Sequence, residues 1–141
     1  MTLTEIFVIL FIHWVADFIF QDEKWALGKS KNWGDLLLHT LTYSFIWFIV
    51  GIIYFFNNAD FVNLGLHNDD LFVRCVIIFP IITFIAHTIT DYFTSRIVSK
   101  KFAKGEYGSA IPNFGAFTII GFDQLLHYVQ LFCTYYWLFK I

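Results

Sequence analysis

The sequence has few charged residues and few cysteines. Only 14% of its 141 residues are charged, whereas a soluble domain carries about a quarter. This scarcity of charge argues against an ordinary soluble domain. The two cysteines, Cys75 and Cys133, fall in apolar stretches, which excludes a disulfide scaffold or a zinc knuckle and predicts buried free thiols. The formal net charge of −2 gives no reason to expect nucleic acid as a partner.

Apolar residues make up 58% of the chain, and they are concentrated in four runs. Each run is long enough to cross a bilayer, which takes roughly 20 residues. The first lacks the positive region of a signal peptide and contains His13 and Asp17, so we expect it to be retained as a membrane helix. The sequence therefore predicts one all-α transmembrane domain over residues 1–141, a four-helix up-down antiparallel bundle. Its helices are predicted at about 3–21, 34–56, 70–103 and 114–139.

Lysine and arginine are absent from the middle connector, residues 57–70. The first connector, residues 22–32, carries three lysines, and the end of the third helix carries a further basic group. Because basic connectors stay in the cytoplasm, this asymmetry predicts that both termini lie on the outer side of the membrane.

Four histidine–aspartate pairs interrupt the apolar runs. A spacing of four residues places both members on one face of a helix. The order of the members reverses from one pair to the next, so an up-down bundle would place the aspartates at one end and the histidines one turn deeper. The sequence therefore predicts a buried His/Asp polar core that opens towards the cytoplasm. The pairs are His13/Asp17, Asp35/His39, His87/Asp91 and Asp123/His127.

Imidazole and carboxylate groups together are the usual ligands of zinc, manganese and non-haem iron. We expect one or two divalent ions, with zinc as the first expectation and manganese or iron as alternatives. A bound metal lowers the pKa of a water molecule towards neutrality, which suits metal-dependent hydrolysis of a lipid-linked or membrane-proximal ester or phosphoester. The predicted metal ligands are His13, Asp17, His39, His87, Asp91, Asp123 and His127.

Two of these carboxylates, Asp17 and Asp123, are also candidates for a catalytic general base. Asp35 lies nearest a helix end and could cap that helix instead of joining the site. Arg96, at the cytoplasmic rim, could attract a lipid head group. The residues expected to contact substrate or to support the ligands are Gln21, Asp35, Ser95, Arg96 and Gln124.

Other functions use the same polar residues. Buried polar side chains also hold membrane helices together by hydrogen bonds worth about 0.6–2 kcal/mol each, as in a non-catalytic membrane interaction protein. Aspartate and histidine chains carry protons or metal ions through transporters, although four helices would need to form a homo-oligomer for that purpose. Paired histidines can also bind haem, but aspartates are not their usual companions there.

The polar motifs resemble those of the membrane proteins called domain of unknown function 3307. The resemblance covers nearly the whole chain and implies a small four-helix protein of a bacterial inner membrane or of a phage. More distantly, the pattern is similar to that of small membrane-bound metal-dependent hydrolases. The motifs that carry the resemblance are His13-Trp-Val-Ala-Asp17-Phe-Ile-Phe-Gln21, Leu38-His39, His87-Thr-Ile-Thr-Asp91 and Phe122-Asp123-Gln124-Leu-Leu-His127.

Overall fold

The computed structural model describes residues 1–59, 66–106 and 114–141, and within these ranges the chain forms helices joined by turns, with no strand. This confirms the predicted all-α class. The α-helices are α1 (Leu3–Trp14), α2 (Glu23–Gly28), α3 (Trp33–Asn58), α4 (Leu66–Phe72), α5 (Phe79–Ala103) and α6 (Phe114–Phe139). A π-helical turn, Val15–Ile19, continues α1, and a second, Val73–Ile78, joins α4 to α5.

Polar side chains begin the first three helices. At α1, the backbone amide of Glu5 donates to Thr2 Oγ1 (3.2 Å), and the amide of Thr2 donates to Glu5 Oε2 (2.7 Å). This reciprocal arrangement satisfies two amides that a helix N-terminus otherwise leaves free. Asp22 caps α2 and Asn32 caps α3 with one hydrogen bond each, which a side-chain oxygen accepts from a backbone amide in the first turn of the helix.

Two boundaries differ from the predicted ones. Helix α2 lies within residues 22–32, which were predicted as a connector, because Asp22 supplies an N-cap that starts one and a half turns of helix. The third predicted helix begins at Leu66 rather than near residue 70, and an ion pair between Asp70 and Arg74 (2.9 Å) stabilises its first turns. Residues 60–65 and 107–113, which include much of the second connector and the loop before α6, lie outside the described residues.

Helices α3 and α5 run antiparallel to each other. The rings of Trp33 and Tyr92 stack with centroids 4.8 Å apart near the start of α3. Towards its other end, Gly51 lies so close to the carbonyl oxygen of Cys75 that a Cβ atom at position 51 would overlap it. The absence of a side chain at Gly51 therefore sets how closely α3 approaches the second π-helical turn.

Helix α6 runs antiparallel to both α5 and α1. Thr94 of α5 donates to Asp123 of α6 at one end (2.6 Å), and Arg74 donates to the carbonyl of Leu138 at the other (2.7 Å). The carboxylate of Glu5 joins α1 to the end of α6, because it accepts hydrogen bonds from Tyr135 and Lys140, both at 2.9 Å.

Apolar side chains cover the outside of the molecule. In the described part of the chain, two helices are long and apolar enough to cross a membrane, Trp33–Asn58 and Asn68–Ala103. One face of the continuous helix formed by the second π-helical turn and α5 exposes a large apolar residue at every fourth position, and each is between 42% and 60% exposed. These residues are Ile77, Ile81, Ile85, Ile89, Phe93 and Ile97.

An apolar core lies between the helices on the side away from α2. Tyr43, Trp47, Phe79 and Leu131 are buried in it. The two cysteines differ from each other: Cys75 is a buried free thiol as predicted, whereas Cys133 is an exposed one, so that prediction was wrong for Cys133. Cys133 lies on the outward face of α6, which is apolar too, so its apolar neighbours in the sequence did not indicate that it is buried.

Candidate metal centre

The seven predicted metal ligands are buried, each with at most 8% of its surface exposed. Six of them come from the first π-helical turn, α3, α5 and α6 and form three overlapping groups, which we call the His/Asp cluster. Within each group one nitrogen or oxygen per residue lies within 4.8 Å of the others, so each group could hold a metal ion. The groups are His39/His87/Asp91, Asp17/His87/His127 and Asp91/Asp123/His127.

The tightest group joins His39, His87 and Asp91. The two Nε2 atoms lie 3.1 Å apart, and Asp91 Oδ2 lies 2.9 Å from that of His39 and 3.4 Å from that of His87. A tetrahedral zinc ion, with ligands at about 2.0–2.1 Å, holds neighbouring ligand atoms about 3.3 Å apart. These three atoms therefore already have the spacing of ligands on one ion.

Asp17 faces the same two histidines with an oxygen atom that accepts no hydrogen bond from the described residues. Its Oδ1 atom lies 3.3 Å from His39 Nε2 and 3.5 Å from His87 Nε2. It is buried and accepts no hydrogen bond from any residue that the structure describes. A buried carboxylate oxygen without a donor is costly, and a metal ion would satisfy it.

The third group extends the His/Asp cluster towards α6. His127 Nε2 lies 3.5 Å from Asp91 Oδ1 and 3.5 Å from Asp123 Oδ1. It is buried and without a hydrogen bond to the described residues. Because Asp91 directs Oδ2 at His39 and Oδ1 at His127, it belongs to two groups and could bridge two ions.

His13 lies beside the His/Asp cluster rather than in one of its groups. Its Nε2 atom donates to the side-chain oxygen of Gln124 and its Nδ1 accepts from the hydroxyl of Tyr43, both at 2.7 Å. The amide nitrogen of Gln124 then donates to Asp17 (3.1 Å) and Asp123 (3.2 Å). Since both ring nitrogens are engaged, the structure assigns His13 to a hydrogen-bond chain that orients the carboxylates.

The remaining predicted residues fall in three places. Gln124 contacts the carboxylates, and Gln21 and Ser95 line the cavity described below. Asp35 packs against Gly28, apart from the three groups, and Asn32 rather than Asp35 caps α3. The guanidinium of Arg96 is directed at the ring of Tyr92, 3.8 Å from its centroid.

A cavity of about 640 Å³ adjoins the His/Asp cluster at the end of the molecule that carries α2. Its base is polar and includes the carboxylates Asp17, Asp91 and Asp123. Its walls are largely apolar and come from the first π-helical turn, α2, α5 and α6. The apolar wall residues include Phe18, Leu27, Val98, Phe102, Ile119 and Ile120.

Lys29, from the turn after α2, reaches into this cavity and pairs with the His/Asp cluster. Its Nζ atom lies 2.9 Å from Asp91 Oδ2, and its side chain is only 19% exposed. Burial disfavours the charge of the ammonium, but the carboxylates of Asp91 and Asp17 outweigh that effect and hold the pKa of Lys29 above its ordinary value. Lys29 is therefore a cation at neutral pH.

Sequence reasoning missed three residues of this region. Tyr43 lies four residues after His39, and Thr94 lies three residues after Asp91, so helical spacing could have placed both on the inward faces of their helices. For Lys29 there is no such signal, because it lies in a turn. In the sequence it indicates only the orientation of the chain in the membrane.

The described residues thus form an all-helical protein with a buried His/Asp cluster that could hold a metal ion. The chain belongs to the family described as "Protein of unknown function (DUF3307)", whose model matches residues 6–141. No curated protein and no solved structure matches it.

Proposed function

We propose that this chain is an integral membrane protein with four membrane-spanning helical stretches in an up-down antiparallel bundle. The distribution of polarity supports the proposal, since histidine and aspartate are buried while isoleucine and phenylalanine cover the outside. Two helices satisfy the length and apolarity of a membrane span, α6 packs antiparallel against one of them, α5, and α1 packs antiparallel against α6. The lysines of residues 22–32 favour a cytoplasmic location for the cavity and an outer location for both termini.

Within the bundle, the His/Asp cluster binds one or two divalent metal ions. The observation that carries this proposal is the presence of buried ligand atoms without a hydrogen bond to the described residues, Asp17 Oδ1 and His127 Nε2, at the centre of converging imidazoles and carboxylates. Asp91 together with His39 and His87 forms the first subsite. The second subsite uses Asp91 again with Asp123 and His127. Zinc suits this mixture of nitrogen and oxygen ligands, and manganese and iron also accept it.

The chemistry that we propose is hydrolysis of a lipid-linked or membrane-proximal ester or phosphoester. A divalent ion held by these residues would supply an acidified water molecule and would polarise the bond to be cleaved. Asp17 and Asp123 line the base of the cavity, where one of them would take the proton of the attacking water. The apolar walls suit the chain of a lipid substrate, and the polar base suits its head group.

A second proposed function is a non-catalytic role in which the His/Asp cluster holds the helices together, because two of its carboxylates already accept hydrogen bonds from other side chains. Hydrogen bonds from Lys29 to Asp91 and from Thr94 to Asp123 would hold the helices together without a metal. That arrangement fits a non-catalytic interaction protein. Transport of protons or metal ions is less well supported, since the apolar core with Trp47, Phe79 and Leu131 lies beyond the cluster on the side away from the cavity.

Metal content of the purified full chain separates these functions. We expect about one or two equivalents of zinc, manganese or iron by elemental analysis, and a loss of most of it in the double variant His87→Ala/His127→Ala. Asp35→Asn is the matched control, because this carboxylate lies outside the three groups and its loss should leave the metal in place. Metal that is sub-stoichiometric and unchanged in the double variant would leave only the interaction protein.

The same preparations test catalysis. Metal-loaded protein should hydrolyse p-nitrophenyl esters or phosphates, and a chelator should abolish the turnover. Asp17→Asn and Asp123→Asn distinguish a general base from a metal ligand. Replacement of the general base should lower kcat by about 10²–10⁴-fold and leave at least one equivalent of metal bound, whereas replacement of a carboxylate that only binds metal should lower the metal content. A protein that binds metal stoichiometrically but cleaves neither class of substrate would refute hydrolysis and leave metal binding intact.

A further inference from the structure

Lys29 forms an ion pair with a carboxylate oxygen that is also a ligand atom of the proposed metal site. Asp91 Oδ2 lies 2.9 Å from Lys29 Nζ and 2.9 Å from His39 Nε2, and it is the oxygen that completes the group with His87. A divalent ion bound to this oxygen would lie a few ångströms from the ammonium. Because like charges at that distance repel strongly in a buried site, Lys29 and the metal would exclude each other from Asp91.

The ammonium group of Lys29, once displaced from Asp91, could move into the cavity. Lys29 lines it together with Lys31 and the hydroxyl side chains of Ser30, Ser95 and Ser99. Ser95 Oγ is buried and has no hydrogen-bond partner among the described residues. Ammonium and hydroxyl groups are the donors that bind phosphate oxygens in proteins.

The charge of the cavity determines whether the metal ion or the anion binds first. Three carboxylates, from Asp17, Asp91 and Asp123, line the cavity, and without a metal ion they would repel an anion from it. A divalent ion would reverse this balance and free the ammonium at the same time. An anion would therefore bind after the metal and not before it.

We propose that Lys29 is an anion-binding residue that rests on Asp91 until a divalent cation takes its place and then binds a phosphate group in the cavity. This inference rests on the proposed metal site. It narrows the substrate to a molecule that carries a phosphate, either on a lipid head group or on a smaller phosphoester.

Binding of Zn²⁺ to the full chain, measured by calorimetry, tests the first half. Lys29→Met should bind Zn²⁺ about tenfold or more tightly than the unmodified protein, because the competing cation is gone. Lys29→Arg keeps the charge, and Lys31→Met removes a neighbouring lysine for which no contact with Asp91 is seen, so both should retain the original affinity. Equal affinities for the unmodified protein and Lys29→Met would overturn the inference.

Amine acylation of the unmodified protein gives a test that does not depend on a variant that folds. Lys29 should be protected from acetic anhydride without metal and should become reactive once Zn²⁺ is bound, whereas Lys31 should react equally in both states. Mass spectrometry of the two lysines measures this difference. A Lys29 reactivity that does not change with Zn²⁺ would contradict its displacement.

Phosphate binding tests the second half. Inorganic phosphate or dihexanoyl phosphatidate should bind the Zn²⁺-loaded protein but not the metal-free protein, and Lys29→Met should weaken it about tenfold or more, with Lys29→Arg as the rescue. Binding of the phosphatidate alone would indicate a lipid source, and binding of both a free phosphate group. Zn²⁺ binding without Lys29-dependent phosphate binding would refute the anion role, whereas no Zn²⁺ binding at all would refute the proposed metal site itself.

Discussion

At the scale of single residues, Tyr43 and Gln124 hold the ring of His13 by both of its nitrogens. This chain of hydrogen bonds passes from the Tyr43 hydroxyl through His13 and Gln124 to the carboxylate of Asp17. Tyr43, His13 and Asp17 are buried and Gln124 is half-buried, so these polar groups form hydrogen bonds with one another instead of with bulk water. His13 thereby determines which way the carboxylates of the cluster point.

Removal of the Tyr43 hydroxyl should destabilise the protein. In Tyr43→Phe, the buried Nδ1 atom of His13 loses its donor, and an unsatisfied buried acceptor costs about 1–3 kcal/mol. Thermal unfolding in detergent should show a lower midpoint for this variant, while Tyr136→Phe, at an exposed tyrosine, should unfold as the unmodified protein does. Identical midpoints for both variants would refute the account of His13.

The sequence predicted correctly which polar residues share one face of a helix. Spacing by four placed His87 and Asp91 on one face of α5 because helical geometry depends on nothing else. The same reasoning grouped His13 with the ligands, because spacing does not reveal that Tyr43 and Gln124 occupy its two nitrogens. The position of Lys29 depends on the path of the turn after α2, which no periodicity describes.

At the scale of helices, two π-helical turns shape the site and its surroundings. Asp17 lies in the first, Val15–Ile19, where the wider turn alters the direction of side chains relative to an α-helix. The second, Val73–Ile78, ends two residues before Pro80, whose ring cannot fit an uninterrupted α-helix without the loss of a hydrogen bond. The four long helical segments were predictable from their apolar runs, but these turns and α2 were not, because they add or redirect only a few residues.

The close approach at Gly51 should be required for helix packing. Gly51→Ala places a Cβ atom against the carbonyl oxygen of Cys75, and overpacking of this kind costs about 1–3 kcal/mol. Gly121→Ala is the matched control, since a Cβ atom at that position meets no atom of the described residues within 4 Å apart from the neighbouring backbone of α6 itself. We expect a lower unfolding temperature for Gly51→Ala than for Gly121→Ala, and the reverse order would show that α3 does not depend on this contact.

At the scale of the whole molecule, polarity is arranged from the inside outwards. The buried residues include histidine, aspartate and threonine, whereas the outer face of α5 from Ile77 to Ile97 is apolar. A protein surrounded by water buries its apolar residues in preference, and one surrounded by lipid has no reason to do so. Under the proposed membrane location, the apolar core beyond the His/Asp cluster separates the outer end from a cavity that opens at the other end.

Both the proposed function and the proposed role of Lys29 depend on a divalent metal ion bound among His39, His87 and Asp91. Crystals of the full chain grown with Zn²⁺ and measured at the zinc absorption edge would reveal such an ion. We expect an anomalous peak about 2 Å from the Nε2 atoms of both histidines and from Asp91 Oδ2, with Lys29 no longer in contact with this oxygen. A zinc-loaded crystal without a peak at these atoms, and with Lys29 still paired to Asp91, would contradict it.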